Sequence, residues 1–146
     1  MRLVTTCTEQ HFKDYAYRLF DTFKHFPKGT ELWWYTEGFK LPQQDGIVQI
    51  DLDSLNELTQ FKKRHSNYRP SRYLYDVVRF SNKVFAACDA LKDYHGVGCW
   101  IDADCVVLKD IPDGYIEAHL QGAYMALLKR KGMYSEMAHI LRDEGG

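Results

Sequence analysis

Gly98-Cys99-Trp100-Ile101-Asp102-Ala103-Asp104-Cys105-Val106-Val107-Leu108 is an apolar run that delivers two carboxylates and then continues apolar. It reads as a buried strand whose end carries charge. In an extended chain residues i and i+2 project to one side, so Asp102 and Asp104 are expected together, with Cα atoms roughly 7 Å apart. Two carboxylates so placed repel unless something neutralises them. A hard cation such as Mg²⁺ or Mn²⁺ takes carboxylate oxygens and completes its shell with water or phosphate oxygens. The plainer reading is a solvated strand end.

A second Asp-x-Asp in the same chain serves as a control. Asp51-Leu52-Asp53 follows Ile47-Val48-Gln49-Ile50 and precedes Ser54-Leu55-Asn56-Glu57-Leu58. Asp53 there has the position of a helix N-cap, a structural role. Cys105-Val106-Val107-Leu108 offers Asp102 and Asp104 no helix to cap.

Upstream, Leu3-Val4-Thr5-Thr6 reads as a strand and residues 9–26 as a helix, with Phe12, Tyr15, Leu19, Phe23 and Phe26 near one face. Thr6-x-x-Glu9 has the form of a capping box, and Pro27-Lys28-Gly29 stops the helix. Residues 31–36 (Glu-Leu-Trp-Trp-Tyr-Thr) read as a second strand. Strand, helix and strand make a βαβ unit, which predicts a parallel pair with a right-handed crossover. Ligands of such sheets bind at the carboxyl ends of the strands, which places Thr5, Thr6, Cys7, Tyr35, Thr36 and Glu37 on the ligand-facing rim. Trp33 and Trp34 read as core. Tyr35 has two readings, core packing or a stack against a nucleobase.

Residues 47–50 read as a third strand, residues 54–63 as a short helix and residues 76–92 as a longer one. Val77, Phe80, Val84, Ala87, Cys88 and Leu91 recur along the longer helix at helical spacing and are expected to be its buried face. Arg79 and Lys83, at i and i+4, share a neighbouring face with two readings, contact with a diphosphate at the rim or a plain solvated face. His95-Gly96-Val97-Gly98 turns the chain into the Asp-x-Asp strand. Beyond Pro112, residues 115–120 suit a helical turn and residues 123–128 a strand.

Arg79-Phe80-Ser81-Asn82-Lys83-Val84-Phe85-Ala86, then Trp100-Ile101-Asp102-Ala103-Asp104, then Lys109-Asp110-Ile111-Pro112, together resemble the GT-A glycosyltransferases. The likeness is specific over residues 75–112 and weaker over residues 3–53. It implies an α/β fold, a Rossmann-like, mostly parallel sheet flanked by helices, forming the family's N-terminal, donor-binding half. It also implies a function: binding a nucleoside diphosphate sugar, a UDP-sugar first among them, with Mn²⁺ or Mg²⁺, and transferring the sugar to an acceptor the sequence does not identify. Asp102 and Asp104 would be the metal ligands and, with Glu136, the catalytic set. Thr5, Thr6, Tyr35, Arg79, Lys83 and Ala103 would bind the donor. Glu136 enters through Tyr134-Ser135-Glu136, which looks like the start of the family's acceptor pocket. Ser135 equally suits the N-cap of a final helix. The likeness thins beyond Gly132, so the acceptor half is expected to be cut short, and His139 reads as an ordinary exposed histidine.

Composition bounds these readings. A chain of 146 residues, 45% hydrophobic and 14% aromatic, suits one globular domain with a real core, at the usual ~100–200 residues per domain. Nineteen Lys and Arg against twenty Asp and Glu give no global electrostatic case for nucleic acid or a membrane. No apolar run approaches the roughly 18 residues that span a bilayer, and the first residues are too polar for a signal peptide, so a cytoplasmic location is expected. Cys7, Cys88, Cys99 and Cys105 form no Cys-x-x-Cys pair and read as buried, reduced thiols.

Two rival functions share these residues. Asp102-Ala103-Asp104-Cys105-Val106 after an apolar strand also resembles the nucleophile motif of haloacid-dehalogenase-like phosphatases, in which the first Asp attacks phosphorus and the second is the acid/base. That motif normally opens its domain, whereas here it stands late. From Lys62 to Lys83 seven basic residues face one acidic residue, with Tyr68, Tyr73 and Tyr75 interleaved. Such a mixture also suits a non-catalytic module that binds RNA or single-stranded DNA, or more plainly a solvated loop leading into a helix.

Overall fold

The structure, a computed structural model, describes residues 1–71 and 76–120. Residues 1–112 form one compact unit, and residues from 113 onward belong to a second, of which a short helix, α5 (Tyr115–Leu120), is described. The first unit holds a four-stranded, all-parallel sheet flanked by helices, an α/β architecture. Its strands are β1 (Arg2–Thr8), β2 (Glu31–Glu37), β3 (Ile47–Asp51) and β4 (Gly98–Trp100), in the order β3-β2-β1-β4.

β1 pairs with β2 along its whole length, Arg2 opposite Glu31 through Thr8 opposite Glu37, so the expected parallel pair is present. Between them the helical run begins as α1 (Glu9–His11), widens into a π-helix over Phe12–Ala16, and continues as α2 (Tyr17–Thr22) and a 3₁₀ turn (Phe23–His25). Its cap differs from the expected one. Thr8, not Thr6, accepts the helix's orphan N–H, from His11 at 3.1 Å. β1 remains extended through Thr8, so the cap lies immediately before the helix, which starts at Glu9 as expected.

The alternation of β1 builds two cores. Leu3 and Cys7 face α1–α2 together with Leu32, Trp34, Ala16, Leu19, Phe20 and Phe23. Val4 faces the opposite layer with Tyr35, Leu52 and Leu58, against Ala86 and Ala90 of α4 (Val77–Leu91). Trp34 is fully buried and its indole N–H donates to Cys7 Sγ at 3.2 Å. Burial pushes the Cys7 thiol up to about 11, an inert, structural thiol. Cys99 is half-buried and also raised by burial, but Cys88 is exposed, contrary to the expectation of four buried thiols.

That exposure has the same origin as a larger correction in α4. Of the face expected in the core, Val77, Phe80 and Val84 are 46%, 39% and 58% exposed while Leu91 at the far end packs against the core, and the buried residues are Ser81, Asn82, Ala86 and Ala90. The helix carries apolar residues on two faces, and periodicity cannot choose between them. Small side chains on the inner face let the helix lie close over β1, and a similar closeness recurs where Gly98 starts β4. A Cβ there would stand 2.5 Å from Leu91 Cδ2.

After β3 the second Asp-x-Asp is structural, though with the roles exchanged. Asp51 accepts from the N–H of Asp53 at 3.1 Å and caps a 3₁₀ turn (Leu52–Ser54), whereas α3 (Asn56–Arg64) starts from Leu55 without a side-chain cap. Among the described residues no helix is long and apolar enough to cross a membrane.

Tyr35 is fully buried and its hydroxyl donates to Asp89 Oδ2 at 2.8 Å, while Lys92 holds the other carboxylate oxygen at 3.0 Å. Burial first, then the Asp89 carboxylate, hold the phenol well above its ordinary range. A raised acid binds its proton in the native state when the unfolded chain has released it. The stability this phenol contributes is therefore complete below about pH 10 and falls as pH rises further. Tyr35→Phe is expected to cost about 1.5 kcal/mol at pH 7 and to flatten the alkaline fall, read as denaturant midpoints between neutral and alkaline pH.

Candidate functional site

A parallel sheet needs long crossovers, and in this one the chain steps outward from β1 to β2 to β3 and then returns across the sheet to β4, on the other side of β1. The connections thus diverge beyond the carboxyl ends of β1 and β4, the topological switch point at which open α/β sheets bind ligands. A cleft of about 800 Å³ lies there. Thr6, Cys7 and Thr8 of β1 line it, with His11 and Tyr15 of the following helical run and Glu37 at the end of β2. Arg79, Asn82 and Lys83 of α4 line it from the other layer, and Trp100, Asp102, Ala103 and Asp104 form the β4 side.

The Asp-x-Asp itself is not extended. Ile101 still donates to Val4 O at 3.0 Å, but Cys105 N–H then donates to Asp102 O at 3.0 Å and closes a turn over residues 102–105. The same-side argument from a strand therefore does not apply, and a turn at the cleft presents the pair instead. Ala103 anchors the turn by burying its methyl among Leu3, Cys7 and Phe20. Beyond it the chain is held to the helical layer, Val107 N–H donating to Thr22 Oγ1 at 3.2 Å and Ile111 N–H to His25 O at 2.8 Å. That anchorage replaces the expected strand continuation.

Asp102 is half-buried and Asp104 exposed. Asp102 Oδ1 accepts from Lys83 Nζ at 2.7 Å and from Trp100 Nε1 at 2.7 Å, and the ammonium also lies 4.7 Å from the Trp100 ring centre. Asp76 caps α4 by accepting from Arg79 N–H at 3.0 Å, which fixes where Arg79 and Lys83 leave the helix. Two carboxylates on one turn are oxygen donors of the kind a hard cation takes. Among the described residues no three His, Cys, Asp or Glu side chains converge to hold a metal by themselves. Asp102 and Asp104 would supply two oxygen donors to a Mg²⁺ or Mn²⁺ ion, which would need water and ligand oxygens for the rest of its shell.

Of the residues expected in the site, Thr6, Arg79, Lys83, Asp102, Ala103 and Asp104 line the cleft. Thr5 and Tyr35 do not. Thr5 alternates with Thr6 and turns into the α1–α2 layer, fully buried, while Tyr35 turns into the α4 layer to meet Asp89. Glu136, Ser135, His139, Arg72, Tyr73, Tyr75 and the expected strand at 123–128 lie outside the described residues. Cys7 and Glu37, expected on the ligand-facing rim, also line the cleft, and His11, Tyr15 and Asn82 join it without a sequence signal of their own. His11 and Tyr15 stack with ring centres 5.3 Å apart, which gives the cleft an aromatic wall.

Among the described residues, three buried side-chain polar atoms have no hydrogen-bond partner: Thr5 Oγ1, Thr6 Oγ1 and Asn82 Oδ1. Burying such a group without a partner costs roughly 1–3 kcal/mol, so each asks for an explanation. Thr6 and Asn82 line the cleft, where a ligand can supply the bond, and Thr5 does not. Comparison of the chain with protein-family models, with characterised proteins and with solved structures gives no match.

Thr5→Val and Thr6→Val both replace an unpartnered hydroxyl by a methyl of the same shape, and each is expected to raise stability by about 1 kcal/mol. Their ligand binding should differ. Thr6→Val weakens binding in the cleft and Thr5→Val leaves it at the parent level, read by calorimetric titration beside chemical unfolding. Equal binding by both variants would remove Thr6 from the site.

Proposed function

We propose that the chain binds a nucleoside diphosphate sugar, with Mn²⁺ or Mg²⁺, in the switch-point cleft and acts as the donor-binding half of a GT-A-like glycosyltransferase. The observation that carries this reading is the meeting, in one cleft, of the Asp102–Asp104 turn and the cationic pair Arg79 and Lys83 from opposite layers. Carboxylates alone would repel a diphosphate, and cations alone would take any anion. Together they suit a diphosphate that arrives with a dication.

In this reading Asp102 and Asp104 hold the cation, which when bound offsets the charge that grows on the departing diphosphate. Arg79 and Lys83 position the diphosphate from the α4 side and supply charge-assisted hydrogen bonds. Thr6 and Asn82 satisfy their buried oxygens on the donor. The His11–Tyr15 wall offers the base the aromatic face that Tyr35, in the core, does not. Transfer breaks the bond between the anomeric carbon and the diphosphate oxygen, whose electron pair leaves with the diphosphate. An acceptor hydroxyl, or water, bonds the carbon and gives up its proton.

Thermal shifts with UDP, GDP and ADP, each with and without Mn²⁺, test the reading. Nucleotide and metal are expected to stabilise weakly alone and strongly together, by ~2.7 kcal/mol at a hundred times the dissociation constant. Asp104→Asn removes one charge beside a dication and should weaken joint binding at least about a hundredfold, while Asp51→Asn in the structural pair should not. Equal metal-dependent shifts in the parent and Asp104→Asn would overturn the assignment. Product analysis with UDP-sugars and Mn²⁺ then separates transfer from hydrolysis.

A further inference from the structure

Lys83 holds the place where a metal's charge would act. Its ammonium and the Trp100 indole N–H both donate to Asp102 Oδ1, each at 2.7 Å. A carboxylate oxygen has about two lone-pair sites, so two donors fill this one. The ammonium also neutralises the carboxylate that the proposed cation needs. Whichever oxygen of Asp102 the cation takes, it meets a like charge already in contact with the group.

The two donors differ in their freedom to leave. Trp100 is a strand residue whose indole packs against the α4-side core. Lys83 carries its charge on a flexible four-carbon stem, half-exposed, from a helix face shared with Arg79 and open to the cleft. An anion in the cleft gives the ammonium a second partner within the same space. We propose that Lys83 is an exchangeable counter-ion: it closes the Asp-x-Asp to metal while the cleft lacks an anion, and passes to the diphosphate when donor and cation enter together. This rests on the glycosyltransferase reading above and assigns the means by which metal and donor binding are coupled.

The coupling has a sign that distinguishes it from a plain phosphate-binding lysine. A lysine that only touches phosphate, out of contact with Asp102, has little effect on metal bound without nucleotide beyond through-space repulsion. A lysine that blocks Asp102 has a larger one, and removing it must strengthen metal binding alone while weakening nucleotide binding. By linkage the cooperativity between the two ligands then shrinks from both sides.

The experiment titrates Mn²⁺ alone, UDP alone, and Mn²⁺ in the presence of UDP, into the parent, Lys83→Met, Lys83→Arg and Asp104→Asn, by calorimetry and by the paramagnetic resonance signal of free Mn²⁺. Lys83→Met keeps the length of the stem, and Lys83→Arg keeps the charge. The expected result is about tenfold tighter Mn²⁺ binding alone in Lys83→Met than in the parent, with weaker UDP binding, and parent-like behaviour in Lys83→Arg. If Lys83→Met binds Mn²⁺ alone no more tightly than the parent, while parent and UDP still bind Mn²⁺ jointly, the counter-ion exchange is wrong and the glycosyltransferase reading stands. If the parent binds no Mn²⁺ with UDP present, that reading fails, and the exchange with it.

Discussion

β1 is hydrogen-bonded along both edges, to β2 over seven residue pairs and to β4 over three, and everything else in the unit hangs on that central position. Parallel neighbours cannot be joined by tight turns, so each needs a connection that crosses a face of the sheet. With β2 and β3 on one side and β4 on the other, the crossovers part company at the carboxyl end of β1. The cleft follows from this topology before any side chain is considered. The residues that face it, Thr6, Thr8 and the Asp102–Asp104 turn, do so because the strands carrying them end there.

The two ends of the sheet are stabilised in opposite ways. At the amino end the Arg2 guanidinium lies between the Trp33 and Tyr94 rings, at 3.9 and 4.2 Å, and donates to Glu31 Oε2 and Ala90 O. Those bonds tie β1, β2 and α4 with most polar demands met. At the carboxyl end Thr6 and Asn82 keep unpartnered buried oxygens. The Lys83–Asp102 pair there is 43% and 39% exposed, a setting in which ion pairs contribute about 0–1 kcal/mol. Its weight lies in where it stands rather than in what it adds to stability. An end that leaves hydrogen bonds unmade and holds a weakly bound counter-ion has bonds to give to a ligand.

Much of this was legible in the residues. Local periodicity and turn chemistry determined the strands at 3–6, 31–36 and 47–50 and the helix after β1, because alternation, helical spacing and a Pro-Lys-Gly stop act within a few residues. Parallel pairing followed from the length of a connection. The placing of Asp102, Asp104, Arg79 and Lys83 at one site was also within reach, since the two carboxylates follow a strand with no helix to cap and the two cations share one helix face.

Tertiary structure alone decided the rest, for one physical reason: it selects among faces that local pattern leaves equivalent. α4 has two stripes, and the close approach to β1 chose Ser81, Asn82, Ala86 and Ala90 over the larger Val77, Phe80 and Val84. Neighbours in sequence parted in the same way, Thr6 to the cleft and Thr5 to the core, and Tyr35 to Asp89 rather than to a base. The carboxyl pair was set on a turn because Ala103 found a buried niche and Val107 a partner in Thr22, contacts across more than 80 residues of chain. His11 and Asn82 came to line one cleft with the strand ends only through the packing of their helices. The sequence determined which chemistry was present, and packing determined which of it shares a cleft.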